Sequence, residues 1–231
     1  MRKKGRVKEY LTLFFLSLSV SCKNLIEFCK VVFFYYRNFS FAKTDLFLLS
    51  SYFFKSPFKI SKQFLLKKGK KDVYLYGETP ITSMAEIAKL AGIEENDHVF
   101  ELGMGRGRCC FWLHFFIGCK VTGIEFVPKF VQIANSLKKR LQIENILFLQ
   151  EDMLKSAFQE ATIFYLYGTC YDEIFIRALI EKFKKLPKGT KIITVSYPLN
   201  DYAKTPYFEV VKKFEITFTW GQADVYLQIV R

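Results

Sequence analysis

Val99-Phe100-Glu101-Leu102-Gly103-Met104-Gly105-Arg106-Gly107-Arg108 constrains the fold more than any other stretch of this chain. An apolar pair, an acid and then glycines at alternate positions read as a buried strand ending in a tight turn that opens a helix. Gly103 and Gly105 can take positive φ and let a ligand come close to the backbone. The helix after the turn presents unpaired N–H groups and a positive dipole end. Eighteen residues on, Val121-Thr122-Gly123-Ile124-Glu125 gives a second strand tipped by an acid. That distance suits a βαβ unit whose second carboxylate grips the two hydroxyls of a ribose.

The rest of the chain continues the alternation. A helix is expected over Ile81 to Ala91, with Met84, Ile87, Ala88 and Ala91 on its core face and Gly92 as its cap. Further helices are expected from Arg106 to about Ile117, from Val127 to Leu141 with Pro128 in the first turn, and from Tyr171 to Leu186. Strands are expected over Cys119–Glu125, Ile146–Gln150, Ala161–Tyr167 and Lys191–Tyr197. Two antiparallel strands, Phe214–Trp220 and Ala223–Val230, close the chain across Gly221-Gln222. The fold class is α/β: a Rossmann-like, doubly wound, mostly parallel seven-stranded sheet with a C-terminal antiparallel hairpin, preceded by a helical N-terminal extension. Ligands in such sheets sit beyond the carboxyl ends of the strands, where Glu101, Glu125, Asp152 and Tyr167 fall.

Charge divides the chain in two. Residues 1–71 hold sixteen Lys/Arg against three Asp/Glu, which accounts for the whole net charge of +13; residues 72–231 hold nineteen of each. The boundaries follow: a basic, aromatic-rich helical extension over 1–71 and a neutral domain over 72–231. Tyr10 to Cys22 is a 13-residue apolar and hydroxyl run after a basic start. It imitates a signal peptide and is too short to cross a bilayer, which takes about 20 residues. From Leu25 to Phe64, runs such as Val31-Val32-Phe33-Phe34-Tyr35-Tyr36 alternate with Lys and Arg and read as two or three helices, one of them stopped by Ser56-Pro57. Residues 10–64 are expected to lie on an anionic membrane surface, with packing on the neighbouring domain as the plain alternative. Six cysteines without a Cys-x-x-Cys pair, and two histidines without metal-like spacing, argue for free thiols, a reducing compartment and no metal. The expected location is cytoplasmic, at most peripheral on the cytoplasmic membrane face.

A dinucleotide site wants glycine at the sixth position of the turn, where this chain has Arg108. The acid before the turn, the Gly-x-Gly-x-Gly spacing and Glu125 instead resemble the S-adenosylmethionine site of class I methyltransferases. From about residue 72 onward the chain is similar to two branches of that class. Tyr76-Gly77-Glu78 and the ending Thr217-Phe218-Thr219-Trp220-Gly221-Gln222 resemble the histone lysine methyltransferases that lack a SET domain, the telomeric-silencing disruptor type. Thr79-Pro80 and the acidic Leu-Gly-x-Gly-x-Gly-Arg run resemble the small membrane-anchored protein-lysine methyltransferases.

The resemblance implies S-adenosyl-L-methionine as cofactor, with Tyr76, Glu78, Thr79, Glu101, Gly103, Gly105, Gly107, Glu125, Asp152 and Met153 about it. It implies a protein substrate whose lysine amine is methylated, with Tyr167 and Tyr171 lining the acceptor channel. It departs after strand 4, where the histone enzymes carry an asparagine and this chain has Tyr167-Gly168-Thr169; an Asn/Asp-Pro-Pro-Tyr motif is absent too. No general base is identified. Three other readings stand beside this one: a nucleic-acid methyltransferase gripping phosphates with its basic arm, a nicotinamide oxidoreductase, and a non-catalytic interaction protein on the same fold.

Overall fold

A computed structural model describes the backbone of residues 2–70, 72–73 and 76–231, and within them the side chains from residue 18 onward. Part of the run expected at 10–22, and Tyr74 and Leu75 of the approach loop, therefore lie outside the described residues. The elements in chain order are α1 (Arg2–Tyr35), α2 (Phe39–Ser50), α3 (Pro57–Lys67), α4 (Ile81–Ala91), β1 (His98–Leu102), α5 (Arg108–Phe116), β2 (Lys120–Glu125), α6 (Pro128–Leu141), β3 (Ile146–Gln150), β4 (Ile163–Leu166), α7 (Glu173–Phe183), β5 (Lys191–Val195), β6 (Phe208–Phe218) and β7 (Gly221–Val230).

One seven-stranded sheet has the order β3-β2-β1-β4-β5-β7-β6. The first five strands are parallel, and β7 runs antiparallel between β5 and β6. The order reverses between β1 and β4, which opens a crevice at their carboxyl ends. β1 is buried along its whole length, as a central strand covered on both faces must be. One face packs against α4, α5 and α6 through Val99, Val121, Tyr165 and Ile193; the other packs α7 through Phe100, Phe164, Ile176 and Phe183.

The extension forms an outer layer on the first of these faces. Phe41 is fully buried, its ring set edge-on to Tyr35, Tyr36, Phe115 and Phe116, which seats α2 on α5. Tyr52 and Ile60 continue the contact along α6 and toward the site. Glu27 of α1 accepts hydrogen bonds from the Thr82 backbone N–H (3.0 Å) and hydroxyl (2.6 Å), satisfying a first-turn donor of α4.

Several boundaries differ from those the sequence implies. α1 is one 34-residue helix rather than a set of separate runs. Ser56-Pro57 starts a helix instead of stopping one: Ser56 accepts the Lys59 N–H as N-cap, and Pro57 occupies the first turn. α5 begins at Arg108, two residues late, because the turn holds the chain in left-handed conformations as far as Gly107 (φ 77°). α7 is shorter at both ends, since Asp172 caps it by accepting the Phe175 N–H at 2.8 Å. β6 reaches back to Phe208 across an irregularity at Val210/Lys212, which breaks the alternation by which a strand is recognised.

Candidate active site

The turn after β1 is built tightly onto the end of β2. Gly103 and Met104 both donate their N–H to the Ile124 carbonyl, at 2.8 and 3.1 Å, and Gly107 donates to Met104 (2.9 Å). Gly123 makes this possible, because a Cβ there would lie 2.4 Å from the Met104 sulfur. Glu125 then clamps the turn: its Oε2 accepts the Gly105 N–H (2.9 Å) and its Oε1 the Val127 N–H (2.8 Å). Most of the N–H groups that a pyrophosphate would need are thus already used. That geometry argues against the nicotinamide alternative independently of Arg108.

Glu101 projects from β1 beneath the turn and is almost wholly buried. The Cys110 thiol donates to its Oε2 at 2.9 Å. Burial raises the Glu101 carboxyl to a pKa of about 8; the Cys110 contact pulls it down and the nearby Glu78 pushes it up again. Burial likewise raises Glu125 to about 7, against the backbone N–H groups that favour its charge.

Above the turn lies the loop before α4. Tyr76 and the Arg106 guanidinium both donate to Glu78, the arginine through Nε and Nη2. Burial would raise the Glu78 pKa, but the paired guanidinium holds it below the usual carboxylate value. Arg106 also lies over the Tyr52 ring, 5.3 Å from its centroid, so the loop, the turn and the extension meet at one side chain. Thr79 is hydrogen-bonded to the buried Tyr165 hydroxyl at 2.6 Å. The Tyr76 ring covers Gly105 so closely that a Cβ there would lie 3.3 Å from it, and the Tyr171 hydroxyl stands 3.1 Å from the corresponding point on Gly103.

The small cavity that remains is lined by Glu78, Thr79, Glu101, Gly103, Arg108 and Tyr167, among others. Tyr167 forms its outer wall. Trp220 of the β6–β7 turn, half-exposed, donates its indole N–H to the Tyr167 hydroxyl and stacks on Phe218 at 5.3 Å. Asp152 follows β3 and accepts the Leu154 N–H at 3.0 Å; Met153 is buried beside it, 3.7 Å from a Cβ placed on Gly103.

A family model described as a methyltransferase domain matches residues 93–215, just over half of the chain and all of this site's strand-end residues. The chain belongs to that methyltransferase family.

Its sheet and crevice are those of the class I, S-adenosylmethionine-dependent fold. Over 136 residues this methyltransferase is 29% identical to a histone-lysine N-methyltransferase, H3 lysine-79 specific, of Dictyostelium discoideum; the match covers 52% of this chain and 7% of that protein. It is 28% identical to the sterol 24-C-methyltransferase of Kluyveromyces lactis, covering 55% of this chain and 37% of the relative. The chain therefore spans only a minor part of the length of either. Among solved structures, an RNA methyltransferase from Salinibacter ruber in complex with S-adenosyl-L-homocysteine superposes with a TM-score of 0.56 and 23% identity, over 67% of this chain and 94% of that one.

The sequence-derived candidates Tyr76, Glu78, Thr79, Glu101, Gly103, Gly105, Gly107, Glu125, Asp152 and Met153 thus converge on the switch point of the sheet. Tyr167 lines the cavity and is joined to the β6–β7 turn through Trp220, and the Tyr171 hydroxyl stands over Gly103. Sequence reasoning gave no role to Arg106, Cys110 or Trp220, and used Arg108 only to exclude a dinucleotide and as the last residue of the Leu-Gly-x-Gly-x-Gly-Arg resemblance. The available signal was the pair of arginines set among the glycines.

Proposed function

We propose that this methyltransferase transfers a methyl group from S-adenosyl-L-methionine to an amine nitrogen, with a protein lysine as the acceptor. When bound, the cofactor supplies a methyl group on a positively charged sulfur, an electrophile strong enough that the protein chiefly has to align and desolvate. The residues fit such a group. The turn glycines carry no side chains of their own, so the space above them is bounded by the Tyr76 and Tyr171 rings, and Glu101 is a buried carboxyl bonded to a thiol rather than a cation, as suits an ammonium ligand. Glu125 sits where ribose hydroxyls would meet the end of β2.

The observation that carries the acceptor reading is the aromatic wall of Tyr167, Phe218 and Trp220 beside the cavity mouth. An aromatic wall accepts an alkylammonium by cation–π attraction, and desolvation there lowers the amine's pKa and favours the uncharged nucleophile. The similarity to an H3 lysine-79 methyltransferase supports the same acceptor class, whereas the sterol and RNA methyltransferases show how widely acceptors vary on this fold. The test is incubation with methyl-labelled cofactor and separated protein, RNA and lipid fractions of a cell lysate. Label recovered as methyl-lysine after acid hydrolysis supports the proposal; label confined to RNA or lipid rejects it.

We propose further that the extension holds the enzyme at an anionic membrane surface facing the cytoplasm. Its outer face exposes Phe33, Phe34, Phe39, Phe53, Phe54 and Phe58 among lysines, with Phe54 97% exposed. Among the described residues no helix is long and apolar enough to cross a membrane, so the attachment proposed is interfacial. Flotation of the full chain with anionic vesicles tests this; a chain that stays at the bottom of the gradient at low salt rejects it.

A further inference from the structure

The arginines on either side of Gly107 are held by different parts of the molecule. Arg106 is taken by Glu78 of the loop before α4. Arg108, the first residue of α5, is taken by Asp45 of α2, with Nε on Oδ1 at 2.6 Å and Nη2 on Oδ2 at 2.7 Å. Asp45 is 2% exposed and also accepts the Tyr36 hydroxyl at 2.9 Å. A bidentate pair fixes the plane of a guanidinium, and this one leaves the Nη1 donors outside the pair. Arg108 lines the cavity above Gly103 together with Glu101.

The amino-acid end of S-adenosylmethionine is a zwitterion and needs an anion for its ammonium and a donor for its carboxylate. Glu101 answers the first need. The second is not met by the N–H groups of Gly103, Met104, Gly105 and Gly107, which are already spent on Ile124, Glu125 and Met104. Arg106 is paired with Glu78 in the same bidentate way but does not line the cavity, whereas Arg108 does. We propose that Asp45, in the N-terminal extension, is a positioning residue that holds Arg108 ready for the carboxylate of the cofactor's amino-acid end. The extension is then a working part of the cofactor site. The inference rests on the cofactor reading above, and it names which end of the cofactor the extension serves.

The test compares two ligands by calorimetry on the full chain: S-adenosylhomocysteine, and 5′-methylthioadenosine, which keeps the nucleoside and the sulfur but lacks the amino-acid end. In D45N the affinity for S-adenosylhomocysteine should fall about tenfold or more, as befits disturbing a charge-assisted contact, with methylthioadenosine unchanged within about twofold. Y36F removes one hydrogen bond to Asp45 and should give a selective loss of about two- to threefold; it decides the matter alone if D45N does not fold. Equal losses for both ligands, or no loss for S-adenosylhomocysteine, would overturn the assignment of Asp45. A wild-type chain that binds neither ligand would overturn the cofactor reading itself.

Discussion

Asp45 in the extension and Glu101 in the sheet are both buried carboxyls, and the molecule treats them in opposite ways. Asp45 has a bidentate arginine and a tyrosine hydroxyl. Glu101 has one thiol and the repulsion of Glu78 and Glu125. A buried carboxyl surrounded by donors is finished as a structural element, whereas one left with a weak donor has capacity for a cation. The same contrast holds at larger scale. Glu27 and Asp45 of the extension are both spent on gripping the domain, at Thr82 and Arg108, so the extension's described outer surface is basic and aromatic. The domain leaves Glu101, buried at the crevice, without such an answer.

The largest expected effect tests the finished member of the pair. Asp45→Ala leaves the Arg108 guanidinium, mostly buried, without its counter-charge, and removal of one partner of a buried pair costs about 3–5 kcal/mol. Thermal unfolding should register it as a large drop. Phe54→Ala, on the exposed face of the same extension, should stay within about 0.5 kcal/mol of the parent. Similar values for both would mean that the extension does not pack as described.

Glu125→Ala comes next. It removes the acceptor for the Gly105 and Val127 N–H groups as well as the proposed ribose contacts, each charge-assisted bond being worth about 1.5–3 kcal/mol. S-adenosylhomocysteine affinity should fall tens-fold or more on a log scale of about 1.4 kcal/mol per decade, and further than for Asp152→Ala. Parental affinity in a folded Glu125→Ala chain would remove Glu125 from the site.

These effects also mark what could be read without coordinates. The acid-tipped strands and alternate glycines were legible because they answer to local rules: strand periodicity, positive φ and a helix start within one βαβ unit. All seven strands followed from them. The extension was legible only as basic and aromatic. That Phe41 turns inward while Phe39, two residues away, is 78% exposed depends on where α5 presents Phe115 and Phe116, and no pattern internal to α2 states it. Asp45 was unreadable for the same reason. A lone acid in a basic run gives no sign that its partner lies 63 residues further on.

The outer face of the extension supplies the third prediction. Replacing Phe53 and Phe54 together by alanine should lower partitioning onto anionic vesicles about tenfold, near 1.4 kcal/mol, without shifting the unfolding midpoint. A double variant that floats as the parent does would move the contact elsewhere on the extension.

The smallest effect concerns the unfinished carboxyl. Glu101, near pKa 8, and Glu125, near 7, keep protons in the folded chain that the unfolded chain releases at the usual carboxylate values. Between those limits the folded state binds more protons than the unfolded state, so stability falls as pH rises. Burial lowers His98 and His114 below the usual imidazole value, which gives the opposite slope, but only up to about pH 6.5. The buried Cys109 and Cys110 thiols, pushed well up, contribute only near and above pH 9. The interval from pH 7 to 8 is therefore dominated by Glu101, with the upper half of the Glu125 titration beside it. There the ligand-free protein should lose about 1 kcal/mol, which for a chain of this size is roughly 2–4 °C in unfolding midpoint. Glu101→Gln keeps the shape and cannot ionise, so its midpoint should fall much less than the parent's across that interval, Glu125 supplying what slope is left. S-adenosylhomocysteine, whose ammonium would hold Glu101 ionised, should flatten the parent curve in the same way, and its binding at pH 7.5 should release protons that calorimetry detects in buffers of different ionisation enthalpy. A parent midpoint that rises from pH 7 to 8, or a Glu101→Gln chain that keeps the parent's full downward slope, would mean that Glu101 is already satisfied in the empty site and that the contrast with Asp45 is one of geometry alone.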